Sequence, residues 1–548
     1  MRFPDGRIVN LVAWLDVDTP VKLDREAKMR VLRRLTKLIA ILAFFATALI
    51  LIAGLVFRLP DLDGRSTSYA LGITADTTLG AKISPLADQN SGLSGVYPLF
   101  RGAEAYAARV VLARSAEQSI DARYYIWQND NTGLPLLQEL RLAAERGVRV
   151  RLLVDDNGTS DLDGELAALN QLENFEVRVF NPFNLRDPRL ASYFFDFFRL
   201  NRRMHNKSFT VDSAVTIIGG RNIGDIYFSF DAETQYSDFD LMLMGDAAQD
   251  VDADFDLYWN SLSAYPHELL VQPDPGALSL LQSDAEAIAL APEWGLYLGA
   301  IQSSKLITDL VASSLQVEWV EVALVSDDPP KGLGKVAPEK LMLSKLTAII
   351  GDAEHSIDLL SAYFIPGDAG TDILTAAAQS GVRVRTLTNS LEATDVLPVH
   401  AGYTKYRAPL LDAGVEVYEM RKAPGQASRA ELGFLGSSAA SLHAKTFVLD
   451  ADRVFVGSFN FDPRSAFLNC EMGFLVHSKA LATHMTQRFD TGLETVAWQV
   501  VKSGDGRLEW HSREDDGASV SLTTEPGSSA TKRMALWVIG LLPVEWML

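Results

Sequence analysis

Two stretches of this 548-residue chain, HNKSFTVDSAVTIIGGRN at 205–222 and HAKTFVLDADRVFVGSFN at 443–460, carry the same polar skeleton. The shared positions are His205, Lys207, Asp212, Gly219 and Asn222 in the first copy and His443, Lys445, Asp450, Gly457 and Asn460 in the second. A lone His-x-Lys means little, because most strand histidines are hydrogen-bonded neighbours of no special role. Two copies that agree at five positions mean more. Two imidazoles with two ammonium groups suit metal-free phosphoryl chemistry. One neutral His attacks phosphorus while the other, protonated, donates to the leaving oxygen, and an alcohol or water then resolves the phosphohistidine. Lys and Asn would stabilise charge on the non-bridging oxygens. Which His takes which role is left open by the residues alone. A metal site fits poorly, since Lys is a poor ligand and no Cys or carboxylate stands at ligand spacing. Neither a metal nor a cofactor is expected.

The elements that must position these residues are themselves repeated. AEQSID at 116–121 and AEHSID at 353–358 are each followed by aromatics, and GVRVR occurs at 147–151 and again at 381–385. Helical and β-rich patterns alternate in both halves, which argues for two α/β lobes, each a mostly parallel mixed sheet flanked by helices. The first lobe is placed at 96–330 and the second at 331–500, with the Pro- and Gly-bearing segment 326–340 as the crossing between them. Alternation in KSFTV and KTFVL predicts strands on which His and Lys share a face, and each Asp falls at a turn before a returning strand.

The spacing H-x-K-x4-D-x6-G-(G/S)-x-N, complete in both copies, resembles the phospholipase D superfamily, and the repeats extend that resemblance over about 96–500. The resemblance implies lobes packed face to face around one site, His205 as nucleophile and His443 as general acid. It implies that Asp212 and Asp450 support the motifs rather than react, and that a downstream carboxylate orients each His, for which Glu471 and Asp238 are the candidates. Asn222, Asn460 and Ser458 are expected at the substrate phosphate. The first copy reads GGRN where the second reads GSFN, so Gly220 offers no hydroxyl, and Arg221 is the candidate for an added phosphate contact.

Residues 38–57 form twenty consecutive positions without a charge, long enough to cross a bilayer core of about 30 Å as a helix. A cleaved signal peptide or a buried core helix would read similarly, but 37 residues precede the stretch and it exceeds a usual signal core. Seven Lys and Arg residues lie between Lys22 and Lys37, against Arg58 and Arg65 just beyond the helix. The positive-inside rule then puts 1–37 in the cytoplasm and the catalytic region on the periplasmic side of a bacterial inner membrane, as a single-pass protein. Residues 58–95 and 501–530 read as linkers. The apolar, Trp-bearing segment 531–548 is either an interfacial anchor or a piece docked on the protein's own core. Leading into His205, the run 186–205 mixes Phe194, Phe195, Phe197 and Phe198 with Arg186, Arg189, Arg199, Arg202 and Arg203. It is either a lipid-contact surface beside an anionic headgroup site or a helix buried by its aromatic face with solvated arginines.

A formal net charge of −20 speaks against a nucleic-acid partner. The single Cys470 excludes an intramolecular disulfide. With the membrane helix, the balance favours phospholipid substrates, and the layout is similar to bacterial cardiolipin synthases, closest to their C type. That implies transfer of a phosphatidyl group to phosphatidylglycerol, with phosphatidylglycerol or phosphatidylethanolamine as donor, and leaves any accessory protein unknown. A hydrolase or nuclease of the same superfamily is the alternative, and an inactive membrane-tethered scaffold is a third reading.

Overall fold

The computed structural model describes residues 25–230, 235–311, 314–422, 440–514 and 516–548. The first 24 residues, with Lys22 among them, lie outside the described residues. A helix Arg25–Val56 contains the apolar stretch, and its segment Leu32–Val56 is long and apolar enough to cross a membrane, with none of it buried in the protein.

Two mixed sheets follow, one of nine strands and one of ten. Parallel pairing is confined to the strands Ser119–Ile126, Arg149–Gly158 and Phe175–Phe180 in the first, and Ser356–Ser361, Arg383–Asn389 and Glu416–Met420 in the second. The expectation of mostly parallel sheets is thereby corrected. Each motif folds as a hairpin rather than a β-α-β unit, so the strands on either side of it must pair antiparallel. Between the lobes lies an apolar seam in which Ile218, Leu241 and Leu243 of the first sheet meet Val454, Val456 and Phe474 of the second.

The expected lobe boundaries move. Glu318–Val320 is an edge strand of the first sheet and Val322–Ser326 an edge strand of the second, so the chain changes lobes at Glu321. The Pro/Gly segment after 326 is instead fixed between the lobes: Lys331 Nζ donates to Ser465 O at 2.9 Å, and Gly332 O accepts from Asn181 Nδ2 at 2.9 Å. The supposed linker 501–530 continues the second sheet through Leu508–Arg513 and Ser519–Leu522. It closes on Glu525, which accepts from Arg407 and lies 2.8 Å from His400 Nε2.

The repeated phrases have a structural cause. Asp121 pairs across parallel strands with Arg151, whose Nε and NH2 donate to its two oxygens at 2.7 and 2.6 Å, and Asp358 receives Arg385 in the same way at 2.7 and 2.9 Å. These are the last residues of SID and GVRVR in each lobe. Both pairs are buried, and removing one partner of such a bidentate pair costs about 3–5 kcal/mol.

Candidate active site

Each motif hairpin is pinned by its aspartate. Asp212 and Ser213, like Asp450 and Ala451, stand in the left-handed region with φ between 50° and 56°, a conformation that Asp tolerates better than most residues. The Asp212 carboxylate accepts from the backbone N–H groups of Glu117, Gln118 and Ser119, and that of Asp450 from Glu354, His355 and Ser356. The motif is so locked to the start of the strand that carries the buried Asp–Arg pair. Gly219 and Gly457 are required by close packing, because a Cβ would fall 2.3 Å from Asp240 Oδ1 and 2.4 Å from Met472 O respectively.

The two histidines are held across the lobes. His205 Nδ1 lies 2.8 Å from Glu471 Oε2, and His443 Nδ1 lies 2.5 Å from Asp238 Oδ2. Each carboxylate therefore orients the histidine of the other lobe. Backbone contacts make the same exchange: His205 N–H donates to Cys470 O at 2.8 Å, and His443 N–H to Ser237 O at 2.8 Å. A short parallel pair, Gln235–Ser237 with Ala440–Leu442, runs beside the second.

Burial and the facing Lys207 push His205 down to about 4, although Glu471 works the other way. Burial and Lys445 push His443 down to about 4 against Asp238. Glu471 stays ionised: burial opposes it, but His205, Lys207 and the Ser458 hydroxyl together lower it. Asp238 is lowered against its own burial by His443 and Lys445. Ionised carboxylates at Nδ1 require that nitrogen to carry the proton, so Nε2 of each neutral ring presents its lone pair.

The lysines differ. Lys207 Nζ donates to His205 O at 2.5 Å and lies 5.6 Å from the centre of the Tyr125 ring. Lys445 Nζ likewise donates to His443 O but also stands 2.9 and 3.1 Å from the two nitrogens of the His443 ring. Burial lowers Lys207 well below the usual range and Lys445 to about 8.

Three residues expected at the phosphate have protein partners. Ser458 Oγ donates to Glu471 Oε2 at 2.5 Å and so braces the carboxylate behind His205. The Arg221 guanidinium donates to the carbonyls of Leu99, Phe100 and Asp238, holding the strand that presents Asp238. Asn222 accepts from Ile126 N–H through Oδ1 and donates to the Tyr227 hydroxyl. Each of these buried groups is satisfied by protein partners, as buried polar atoms generally are. Asn460 keeps its side-chain oxygen without a protein partner among the described residues. Sequence reasoning missed the aromatic walls: Tyr125 meets His205 edge-on at 5.1 Å, Tyr236 stacks on His443 at 4.8 Å, and Tyr227 meets that ring edge-on at 5.3 Å. Tyr236 and Tyr363 both donate to Asp395, at 3.0 and 2.9 Å. The aromatics after each SID signalled Tyr125 and Tyr363 but not Tyr227 or Tyr236.

Four of the five arginines before His205 face inward. Arg186 and Arg189 bind Asp156 and Asp163, Arg199 binds Asp196, and Arg203 binds Asp155. No solvated set of arginines and no open headgroup cluster is formed by these four. Among the described residues no cluster of metal-ligating side chains occurs.

Residues 111–259 and 346–492 each match the family described as cardiolipin synthase, PLD-like domain. The chain is 44% identical to cardiolipin synthase C of Escherichia coli over 86% of its own length and 99% of that protein's. It is 29% identical to cardiolipin synthase 2 of Staphylococcus epidermidis over 69% of this chain and 63% of that one. The crystal structure of phosphatidylserine synthase from Haemophilus influenzae is similar in fold, with a TM-score of 0.53 at 14% identity, covering 85% of this chain and all of the other.

Proposed function

We propose cardiolipin formation by phosphatidyl transfer for this chain, which belongs to the cardiolipin synthases of the phospholipase D superfamily. The observation that carries the reading is the reciprocal hold of two buried histidines by carboxylates of opposite lobes, which aims two lone-pair nitrogens into one site.

At rest both rings are neutral near pH 7, since both sit at about 4. An anionic phosphodiester entering between them favours an imidazolium, and His443 is suited to become it, with Asp238 behind Nδ1 and aromatic faces around it. His205 Nε2 attacks phosphorus and the P–O bond to the headgroup alcohol breaks. The leaving oxygen takes the proton from His443, and phosphatidyl-His205 remains. A glycerol hydroxyl of phosphatidylglycerol then loses its proton to the neutral His443 and attacks the phosphorus, breaking the P–N bond to give cardiolipin and free His205. Lys207, Lys445 and Asn460 supply donors for the non-bridging oxygens, and Asp212 and Asp450 act only by holding their hairpins. Phosphatidylglycerol is one substrate, with phosphatidylglycerol or phosphatidylethanolamine as donor. The N-terminal basic residues support a single-pass inner-membrane protein with its catalytic region in the periplasm.

The test is mass spectrometry of lipids formed by the full chain and by His205→Ala from phosphatidylglycerol alone and with phosphatidylethanolamine added. Cardiolipin that disappears in the variant supports transfer, and the mixture names the donor. Phosphatidic acid without cardiolipin would assign water as acceptor and make the protein a hydrolase.

A further inference from the structure

Large apolar side chains reach solvent in three places that join. The helix Arg25–Val56 ends at Phe57, whose ring lies 5.8 Å from Phe195 and whose carbonyl accepts from Asn184 Nδ2 at 3.0 Å. Phe195 belongs to the helix Tyr193–Leu200, which turns Phe194 and Phe198, 79% and 70% exposed, outward. From the same helix Phe197 meets Trp546 at 6.4 Å. The C-terminal helix Ala530–Gly540 packs one side on Leu397–Thr404 but leaves Met534, Trp537, Val538 and the following Leu541 exposed. The spacing i, i+3, i+4, i+7 makes them one stripe. Lys532 and Arg533 stand exposed at its start.

This surface is tied to the catalytic strands. Arg464, just past the second motif, donates through NH2 to Asn201 Oδ1 at 2.8 Å, in the turn before His205, and through Nε to Met547 O at 2.8 Å. Its own N–H donates to Leu548 O at 2.9 Å. The C-terminal end of the chain, the turn before the first motif and the segment after the second thus meet at Arg464.

We propose that Phe194, Phe198 and the stripe Met534–Trp537–Leu541 form a platform seated in the interface of an anionic lipid bilayer, the membrane that the N-terminal helix crosses. The C-terminal segment is then a second attachment that holds the site at headgroup level. The occupant is lipid because the surface continues from the point where the membrane helix ends, so these side chains lie at the level where that helix leaves the bilayer. Trp and basic residues at its edges suit that layer. The proposal rests on the phospholipid reading above.

The test uses the full chain in vesicles of phosphatidylglycerol and phosphatidylethanolamine. Cys470 is fully buried, so a thiol-reactive fluorophore goes to a cysteine introduced by Phe194→Cys, Trp537→Cys or, as a control on another helix end, Leu290→Cys. Probes at 194 and 537 should be quenched by lipids brominated in the acyl chain and the probe at 290 by aqueous iodide. Iodide quenching as strong at 194 and 537 as at 290 overturns the proposal, and so does shielding from both quenchers, which would mean that protein covers the surface. In a second arm, the doubly substituted Trp537→Ser, Leu541→Ser chain should form cardiolipin from vesicle lipid roughly tenfold more slowly while keeping its rate on short-chain, water-dispersed phosphatidylglycerol. Equal rates on both substrates also overturn it. If the unsubstituted chain forms no cardiolipin from either, the enzymatic reading fails, and the quenching result still decides the platform.

Discussion

The two half-sites share a plan and differ in one compensated pair. Behind His205 stand the longer Glu471 and the hydroxyl of Ser458, whereas behind His443 stand the shorter Asp238 and Gly220. A Cβ at position 220 would lie 2.2 Å from Asp238 Oδ1. The short carboxylate reaches its histidine only where the neighbouring strand withdraws its side chain. The long one leaves room for a serine that grips it. A second contrast lies in the lysines: both donate to the carbonyl of their own histidine, but only Lys445 also stands within reach of the ring nitrogens. The difference teaches that duplication preserved the position of each imidazole while the means of holding it diverged, as the division of labour proposed above requires.

The largest effects test those roles. His205→Ala should lower cardiolipin formation by at least about 10⁴-fold and yield no covalent phosphoenzyme. His443→Ala should lose about 10²–10⁴-fold with phosphatidylglycerol but still accumulate phosphoenzyme from a lipid bearing a nitrophenol leaving group, which needs no acid. Acid-quenched, radiolabelled protein reads this out, and label trapped on the His205→Ala chain would reverse the assignment. Next comes the compensated pair. Gly220→Ser should cost roughly 10²-fold in kcat by displacing Asp238, and Ser458→Ala, which only loosens Glu471, about tenfold. A Gly220→Ser chain with full kcat would show that Asp238 is not confined as described.

The lysine contrast predicts a pH effect. A lysine lowered to about 8 is charged below that pH and neutral above it, so turnover should fall as pH rises through about 8. Lys445→Arg, which stays charged, should move that limb upward, while Lys207→Arg should leave it in place. The pH–rate profiles of the three proteins decide between them. The smallest effect is expected from Tyr236→Phe, which keeps the ring over His443 and loses the bond to Asp395, at about fivefold in kcat.

The duplication and the motif spacing made two α/β lobes and the two His-Lys-Asp sets readable, because both are local in sequence and repeated. The brace of each histidine was readable only in part. Glu471 and Asp238 could be named from their place downstream, but the exchange between lobes depends on how two sheets pack, which no local pattern encodes. The protein partners of Arg221 and Ser458 were hidden for the same reason: a polar residue beside a motif looks free for a ligand until the strand that engages it is known. The strands at 508–513 and 519–522 were hidden because antiparallel strands with one face toward solvent carry many polar residues.

The exchange of carboxylates also sets a time at which the protein can begin to work. His205 waits for Glu471, which is 266 residues further along the chain, and His443 depends on Asp238, made long before it. While the first lobe folds on the ribosome its histidine has no orienting partner and faces no second imidazole. Only a finished chain with both lobes docked can touch a phosphodiester, so a half-made protein already threaded into a membrane does no chemistry on the lipids around it.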